Sequence, residues 1–287
     1  MITKTMEGKI CLITGGTNGI GKSTAQILAG MGATIVIVGR NATKTAQVVK
    51  EIRARSGNHN VDSFLADLSS QKEVRRLADE FKQKYKQLHV LINNAGAAFM
   101  QRQLSVDGIE MTFALNHLAY FLLTSLLLDT LKASAPARII NVSSGAHTSG
   151  KIEFDNLQGE RTYGFETYPN AKLATILYTV ELAHRLEGTG ITVNALHPGL
   201  TSTGFGKNNG PIMAALVTLF APLFMRSPAK GAETSIYLAS SPSVEGITGK
   251  YFYESQVAQA AGQAADRVVA RKLWDVSAEM VHLQATG

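Results

Sequence analysis

Two side chains with complementary acid–base chemistry, Tyr168 and Lys172, lie four residues apart in a segment predicted to be helical over about 168–187. That spacing puts both on one face of the helix, one turn apart. A phenol has a pKa near 10, too high for efficient proton transfer at neutral pH, but a nearby ammonium lowers it. The pair therefore predicts a general acid–base, although Tyr-x-x-x-Lys alone also occurs as an ordinary surface pair.

A glycine-rich turn, residues 14–23, follows the first apolar run and opens a helical pattern. Two phosphate-binding motifs fit it. Gly16 and the run Gly21-Lys22-Ser23 match the P-loop, in which backbone N–H groups and a lysine cradle a triphosphate. Gly15, Gly19 and Gly21 also match a variant of the dinucleotide turn, where a helix N-terminus approaches a pyrophosphate. The turn by itself does not choose between them.

The ends of later strands favour the dinucleotide interpretation. A P-loop enzyme needs a carboxylate there to hold magnesium, whereas these strands end in Asn93-Asn94-Ala95-Gly96 and Asn141-Val142-Ser143-Ser144. About 20 residues after the turn, where an acid would accept the 2′-OH of NAD, the chain has Gly39-Arg40-Asn41. A guanidinium can pair with a 2′-phosphate, so NADP is the predicted cofactor. The alternative is that Arg40 is a solvated residue at a strand end.

These residues need a scaffold, and short Val- and Ile-rich runs alternate with helical segments to about residue 253. Most runs are too uniformly apolar to have one face in water, so they are predicted to be central strands of a covered parallel sheet. The predicted fold is α/β: one doubly wound domain over residues 1–287, with about seven strands and helices on both faces. The predicted strands are 9–14, 34–38, 61–66, 90–93, 138–142, 192–196 and 250–253. The predicted helices are 19–31, 43–56, 70–86, 108–132, 168–187 and 228–240, with a C-terminal helix around 266–283.

Composition excludes several classes of function. Lys and Arg number 28 against 22 Asp and Glu, and without a basic run this excess of +6 does not indicate nucleic acid. Residues 40–86 hold 11 Lys and Arg against 6 Asp and Glu, on the adenosine side of the predicted site. The single cysteine, Cys11, excludes an intramolecular disulfide and indicates a reducing compartment. No histidine pair has metal-ligand spacing, so no metal is predicted, and His117, His147 and His197 are interpreted as structural.

Neither the start of the chain nor its apolar stretches predict membrane insertion. Residues 1–7 are polar and run into the first strand without a leader pattern, so a cytoplasmic protein is expected. The stretch 211–225 is shorter than the roughly 20 residues of a membrane span. Residues 111–131 are apolar almost all round, which predicts a helix buried in the core or in a subunit interface.

The ordered set of motifs resembles the short-chain dehydrogenase/reductase family over roughly residues 8–255. The set comprises Thr14-Gly15 with Gly19-Ile20-Gly21, Asn93-Asn94-Ala95-Gly96, Asn116, Ser144, Tyr168-x-x-x-Lys172 and Pro198-Gly199. Further matches, including Val142-Ser143-Ser144-x-Ala146-His147 and Leu273-Trp274-Asp275-Val276-Ser277, are similar to its retinol-dehydrogenase-like branch. A soluble carbonyl reductase is expected, without the N-terminal membrane anchor common in that branch.

The resemblance implies a Rossmann fold and a catalytic set of Asn116, Ser144, Tyr168 and Lys172. Tyr168 would be the acid–base, Lys172 would lower its pKa and hold the nicotinamide ribose, and Ser144 would bind the substrate oxygen. Asn116 would position a water that relays protons to Lys172; the alternative is a polar kink in a buried helix. Contacts with NADP(H) are implied for Gly15, Thr17, Asn18, Gly19, Ile20, Gly21, Arg40, Asn41, Asp67, Leu68, Asn94, Ala95, Gly96, Tyr168, Lys172, Pro198, Gly199, Thr201 and Thr203.

Three features near these motifs qualify the expectation. Asp67 could accept from an adenine amino group or cap the helix that follows Ser69. Ala171 stands where the family usually has serine, and Pro169 follows the tyrosine, at a first-turn position that tolerates proline. Homodimers and homotetramers are common in the family, and the sequence leaves the oligomeric state open.

Two segments are predicted to form the walls of a substrate cleft. Residues 145–167 lengthen the spacing from Ser144 to Tyr168 to 24 positions, and the apolar, glycine-containing segment 200–226 could close as a lid. The alternative is an apolar helix packed on the core or on a partner subunit. The predicted function is NADP(H)-dependent interconversion of a bulky hydrophobic aldehyde or ketone and its alcohol. The alternatives are a non-catalytic NADP-binding regulator or scaffold and, less favoured, a P-loop NTPase.

Overall fold

The computed structural model describes residues 4–199 and 226–283, and in both ranges strands alternate with helices. The strands described are β1 (Ile10–Thr14), β2 (Thr34–Gly39), β3 (Val61–Leu65), β4 (Val90–Asn93), β5 (Ala137–Val142), β6 (Ile191–Leu196), β7 (Tyr251–Tyr253) and β8 (Gln256–Ala258). The helices described are α1 (Gly19–Gly30), α2 (Ala42–Ser56), α3 (Gln71–Lys84), α4 (Met111–Lys132), α5 (Thr167–Arg185), α6 (Pro228–Ser240) and α7 (Arg267–Met280).

The strands form one sheet in the order β3-β2-β1-β4-β5-β6-β7-β8. Pairing is parallel from β3 to β7, and β8 is antiparallel to β7. The chain winds outward in one direction from β1 to β3 and in the other from β4 onwards. Open sheets of this kind bind ligands at the carboxyl ends of the strands, where the winding reverses. The predicted doubly wound Rossmann-type fold is confirmed.

The eighth strand is the element that the sequence did not predict. It follows β7 through a two-residue turn in which Glu254 and Ser255 have φ values of 49° and 62°. Such turns normally use Asn-Gly or Asp-Gly, because those residues tolerate positive φ. Glu-Ser carries no such signal, so the count of about seven strands was one short.

Both faces of the sheet are covered, as the uniformly apolar strands require. Along β1, Leu12 belongs to one hydrophobic core, while Cys11 and Ile13 belong to the other. The first core also contains residues of α3, α4, α5 and α7, and the second contains residues of α1, α2 and α6. Alternate side chains of a strand point to opposite faces, so a strand in this position must be apolar throughout.

The apolar helix α4 lies inside the protein. By length and composition it could cross a membrane, but 78% of its apolar window is buried in the fold. Buried core helices can be equally long and apolar, so packing in the core explains the apolar composition of residues 111–131. Its regular winding is interrupted by a π-helical turn at Ala114–Leu118, which places Asn116 at the irregularity. Such π-helical turns are rare overall, and those that do occur often lie at functional sites.

The helix α7 packs back on the body of the domain, where a C-terminal helix was expected. The ring of Trp274 lies 4.8 Å from that of Phe121 and 5.9 Å from that of Tyr178. The Oγ of Ser277 is 2.8 Å from Nε2 of His117, a buried histidine of α4. The expected lid, 200–226, lies outside the described residues except for Arg226.

Candidate active site

The glycine turn between β1 and α1 is shaped by backbone contacts that only glycine permits. Gly15 and Gly19 have φ values of 65° and 50°. A Cβ on Gly21 would lie 2.4 Å from the carbonyl oxygen of Gly15 and 2.5 Å from Nδ2 of Asn94. Because these contacts leave no room for a side chain, glycine is required for the turn to pack this tightly against the end of β4.

The first turn of α1 fits a pyrophosphate. Its N-cap, Asn18, makes no side-chain capping bond, which is also true of α5, whereas α2, α3, α6 and α7 are capped by Asn41, Ser70, Ser227 and Asp266. The N–H groups at a helix start lack intrahelical partners and carry partial positive charge. Together with the glycine turn, this end of α1, including Thr17, Asn18, Gly19 and Ile20, can receive the phosphates of a dinucleotide.

Lys22 does not adopt the role that a P-loop requires. Its ammonium forms an ion pair with Glu51 of α2, and both side chains are partly exposed. A P-loop lysine must reach the terminal phosphates instead. The P-loop interpretation of the glycine turn therefore fails on the position of its lysine.

The end of β2 lies against the glycine turn, which brings the residues expected to bind adenosine to one edge. A Cβ on Gly39 would be 2.5 Å from Cγ2 of Thr17. Arg40 is exposed and makes no side-chain hydrogen bond or ion pair within the part of the chain that the structure describes. Asn41 caps α2 by accepting from the N–H of Lys44 at 2.9 Å. This edge offers one uncommitted cation and no carboxylate on β2.

Asp67 lies beyond β3 and does not cap a helix. Its Oδ1 accepts from the N–H and hydroxyl of Ser69, at 3.0 and 2.7 Å, while Ser70 caps α3. The capping alternative for Asp67 is therefore wrong, because the local turn with Ser69 uses that oxygen. Asp67 remains exposed, and the neighbouring Leu68 is buried in the core.

The loop after β4 is held from two sides. The hydroxyl of Thr14 accepts from the N–H groups of Asn94 and Ala95, at 2.9 and 3.0 Å. Tyr120 of α4 donates to the carbonyl of Ala95 at 2.9 Å. A Cβ on Gly96 would lie 2.5 Å from Oδ1 of Asn116 and 3.3 Å from Nζ of Lys172. The glycine thus lets the loop approach the catalytic candidates directly.

Asn116 is buried at the π-helical turn and joins three elements. Its amide nitrogen donates to the carbonyls of Ala97 and Thr112, both at 2.8 Å. Its backbone carbonyl accepts from the hydroxyl of Thr175 of α5 at 3.2 Å. Its Oδ1 is buried and has no hydrogen-bond partner among the described residues. A buried acceptor without a partner calls for an explanation, and this one lies beside Gly96 and Lys172, where a bound group could donate to it.

Ser144, Tyr168 and Lys172 come together where β5 ends and α5 begins. The Ser144 side chain hydrogen-bonds to the phenol of Tyr168. The Nζ of Lys172 donates to the carbonyl of Val142 at 3.0 Å and lies 5.7 Å from the centre of the Tyr168 ring. The hydroxyl of Ser143 donates to the Lys172 carbonyl at 2.7 Å, which ties α5 to the strand end. Pro169 lies in the first turn of α5, as expected.

The pKa values in this cluster differ from the simple expectation. Burial raises the pKa of Tyr168 to about 12, and the hydrogen bond from Ser144 opposes that rise. Burial also lowers the pKa of Lys172 to about 7, because a charged ammonium is poorly solvated there. In this structure, burial is therefore the main influence on the pKa of Tyr168. The pair instead combines a protonated phenol with an amine that titrates near neutral pH.

The nicotinamide end of the expected site is described only in part. Pro198 and Gly199 follow β6, and the N–H of Gly199 donates to Nδ1 of His197 at 3.2 Å. Thr201 and Thr203 lie outside the described residues. The position of Gly199 next to the side chain of Arg226 shows that the chain returns to this point after residue 225.

Three positioning residues of the site escaped prediction: Thr14, Tyr120 and Thr175. Tyr120 stands four residues after Asn116 on an otherwise apolar helix, so its spacing was an available signal. Thr14 belongs to the glycine motif, but nothing in that motif indicates that its hydroxyl holds the loop after β4. Thr175 offered no signal, because its contact with Asn116 depends on how α4 and α5 pack.

Known proteins similar to this chain cover almost all of its length. The sequence profile described as "short chain dehydrogenase" matches residues 9–212. The chain belongs to the short-chain dehydrogenase family. Human retinol dehydrogenase 11 is 43% identical over 282 residues, covering 98% of this chain and 88% of that protein. Human retinol dehydrogenase 13 is 42% identical, with 98% and 87% covered. The expected resemblance is confirmed, and the chain is an oxidoreductase of this family.

Solved structures agree with that assignment. A crystal structure from Mycobacterium Paratuberculosis has a TM-score of 0.78 and 28% identity, covering 98% of this chain and 96% of that one. The Pseudomonas aeruginosa RhlG/NADP active-site complex has a TM-score of 0.70 and 29% identity, covering 88% and 96%. The fold of this short-chain dehydrogenase is thus shared along almost its full length.

Proposed function

We propose that this short-chain dehydrogenase is NADP(H)-dependent and interconverts a bulky hydrophobic aldehyde or ketone with its alcohol. One observation carries the proposal: Ser144, Tyr168 and Lys172 meet at the carboxyl edge of the sheet, beside the backbone cradle formed by Gly15, Gly21 and Gly96. When bound, NADPH supplies the hydride. The chain's own residues must then hold the substrate oxygen and provide a proton to it.

Tyr168 is suited to give that proton. With its pKa raised to about 12, the phenol is protonated at neutral pH and can act as an acid toward the oxygen that gains negative charge. Ser144, already hydrogen-bonded to the phenol, can donate to the same oxygen and stabilise that charge. Lys172, with a pKa lowered to about 7, can return a proton to Tyr168. A protonated phenol is the form that the reduction step requires, because that step consumes a proton.

The choice of NADP rests on the end of β2. Gly39 and Arg40 replace the acid that would accept the ribose 2′-OH of NAD, and Arg40 is exposed beside the glycine turn. Two similar structures, RhlG and a short chain dehydrogenase from Burkholderia cenocepacia at 27% identity, are NADP complexes. Orphaned Oδ1 of Asn116, next to Gly96 and Lys172, is a fitting acceptor for a hydroxyl or water at the nicotinamide end.

The substrate class rests on the relatives, which are named for retinol, a bulky apolar alcohol. A cytoplasmic location and a homodimeric or homotetrameric state stay predictions, as does a lid within 200–226. The regulator or scaffold alternative has no specific support, because the site retains all of Asn116, Ser144, Tyr168 and Lys172.

A spectrophotometric assay tests the proposal. NADPH and NADH oxidation would be followed with small aliphatic and large apolar aldehydes and ketones, for the native protein and Tyr168→Phe. We expect turnover with NADPH and large substrates, and a loss of about 10²- to 10⁴-fold in kcat for Tyr168→Phe. The matched control is Tyr178→Phe, on the same helix but inside an aromatic cluster with Trp274.

Three outcomes would contradict parts of the proposal. Equal turnover by Tyr168→Phe would remove Tyr168 from the reaction. Tight NADPH binding without turnover of any carbonyl compound would favour the non-catalytic alternative. Equal kcat/KM across small and large substrates would exclude an apolar pocket.

A further inference from the structure

His147 lies directly behind Ser144 and is almost fully buried, with 2% of its surface exposed. It stands on a 3₁₀ turn, Gly145–Ser149, that follows β5. Its Nδ1 is 2.8 Å from the carbonyl oxygen of Ser144, and its Nε2 is 3.2 Å from the backbone nitrogen of Ala261. The imidazole thus spans two chain segments 114 residues apart.

The hydrogen-bond partners fix the tautomer of the ring. A backbone N–H can only donate, so Nε2 must be the unprotonated acceptor for Ala261. The proton of the neutral ring is therefore on Nδ1, which donates to the carbonyl of Ser144. That carbonyl also accepts from the backbone N–H of His147 at 3.1 Å. Two donors on one oxygen fix the orientation of the Ser144 peptide.

A second contact ties the same loop to the same segment. The N–H of Ile152 donates to Oε1 of Gln263 at 2.7 Å. Ala261 and Gln263 both lie just after β8, so this segment holds the loop 145–152 at two points. The loop also packs tightly against α5, because a Cβ on Gly150 would lie 2.6 Å from the carbonyl of Pro169.

We propose that His147 is a positioning residue for Ser144, acting as a neutral brace between the Ser144 carbonyl and the segment after β8. The inference rests on the proposed role of Ser144. The brace sets where the Ser144 hydroxyl lies relative to Tyr168, so its loss moves a group that must contact the substrate oxygen. A displacement of about 1 Å at a reacting centre can cost up to about 100-fold in rate.

The surroundings of the ring keep it in the neutral form. Burial lowers the pKa of His147, and the hydrogen bond to Ser144 opposes this. Tyr251 packs its ring 4.9 Å away and its hydroxyl lies 3.4 Å from Nδ1. His197 is a further titratable group near His147, and its pKa is lowered to about 4, mainly by burial. If His147 gained a second proton, Nε2 would become a donor and would face the N–H of Ala261, which is also a donor.

Two amide substitutions separate the two ends of the brace. The amide nitrogen of an asparagine side chain matches Nδ1, whereas the glutamine amide reaches the position of Nε2. His147→Asn keeps a donor for the Ser144 carbonyl, and His147→Gln keeps only an acceptor for Ala261. We expect kcat to fall about 10- to 100-fold in His147→Gln, with the KM for NADPH unchanged, and to stay within about threefold in His147→Asn.

His184→Gln is the matched control, because His184 is an exposed histidine of α5 paired with Glu187. NADPH binding and Tm are measured for every variant. If both His147 variants keep native kcat, or lose kcat to the same extent, the brace does not act through Ser144 and the inference is wrong.

A double-mutant cycle separates this inference from the proposed function. If His147 acts through Ser144, His147→Gln has no further effect on kcat in a Ser144→Ala background. An additive loss would overturn the inference. Native kcat in Ser144→Ala alone would instead contradict the proposed role of Ser144.

Discussion

The two ends of the proposed active site are formed by different kinds of group. At the catalytic end, buried or half-buried side chains of β5, α4 and α5 make the contacts: Asn116, Ser144, Tyr168 and Lys172. At the adenosine end, the cradle is backbone, provided by the glycine turn and the uncapped start of α1, with Arg40 exposed at its edge. The catalytic end is thus embedded in the fold, whereas the adenosine end is attached to its surface.

We expect the catalytic end to determine the rate of the reaction and the adenosine end to determine which cofactor binds. Desolvation shifts the pKa values of Tyr168 and Lys172, so we expect a substitution there to alter stability as well as the proposed catalysis. An exposed charge such as Arg40 has water as its alternative partner, so its replacement affects the ligand much more than the fold. Substitutions at the two ends should therefore have different consequences, and the predictions below test that contrast.

The largest effect is expected for Lys172→Met, as a dependence of stability on pH. The pKa of Lys172 is lowered from 10.5 to about 7, so between pH 7 and 10.5 the unfolded chain binds one proton more than the native protein. The free energy of unfolding then rises with pH across that window, by up to about 1.4 kcal/mol per pH unit. Below about pH 7 this contribution is constant.

Denaturant titrations of both proteins between pH 6 and 9 measure this effect as a difference. The variant lacks the amine, so the free energy of unfolding of the native protein should rise relative to that of the variant from pH 7 to 9. Other shifted groups, including Tyr168 and the buried histidines, are common to both proteins and cancel. Parallel curves over the whole range would mean that Lys172 has an ordinary pKa and that the catalytic end is not coupled to the fold.

This coupling could not be derived from the sequence, although the residues themselves could. The i, i+4 spacing identified Tyr168 and Lys172 because a helix repeats over a few residues. The pKa of Lys172 depends on burial, which arises from the packing of α4 and the loop after β4 around it. Residues such as Tyr120 and Gly96 are more than 50 positions away in the chain. The spacing therefore identified the Tyr168–Lys172 pair, but it carried no information about the effect of burial on either pKa.

The fold shows the same division between local and distant information. Most of the first seven strands were predicted because burial on both faces demands mainly apolar residues, and that pattern is local; the edge strand β3 is only partly buried. The strand β8 has three residues and a Glu-Ser turn, so neither its composition nor its turn gave a signal. His147 likewise stood in a recognised motif, but its contact with Ala261 appears only when β7 and β8 are in place.

A smaller and more selective effect is expected for Arg40→Ala. A charge-assisted hydrogen bond to a phosphate contributes about 1.5–3 kcal/mol, so the KM for NADPH should rise about 10- to 100-fold. The KM for NADH should stay within about twofold, and Tm should hardly change. Arg55→Ala is the matched control, since Arg55 is an exposed arginine at the opposite end of α2. If both cofactors lose affinity equally, or neither does, Arg40 is only a solvated residue at the end of β2.

The smallest effect is expected for Lys22→Met, which tests the backbone character of the adenosine end. Lys22 is the one lysine inside the glycine motif, and its ammonium pairs with Glu51 instead of pointing to the cradle. A partly exposed pair contributes little to stability, so Tm should fall only slightly, and Glu51→Gln should have the same effect. The KM for NADPH should stay within about twofold, because the N–H groups at the start of α1 bind the phosphates. A loss of NADPH affinity by an order of magnitude in Lys22→Met, without one in Glu51→Gln, would show that the lysine leaves Glu51 to bind phosphate, and the adenosine end would then depend on a side chain after all.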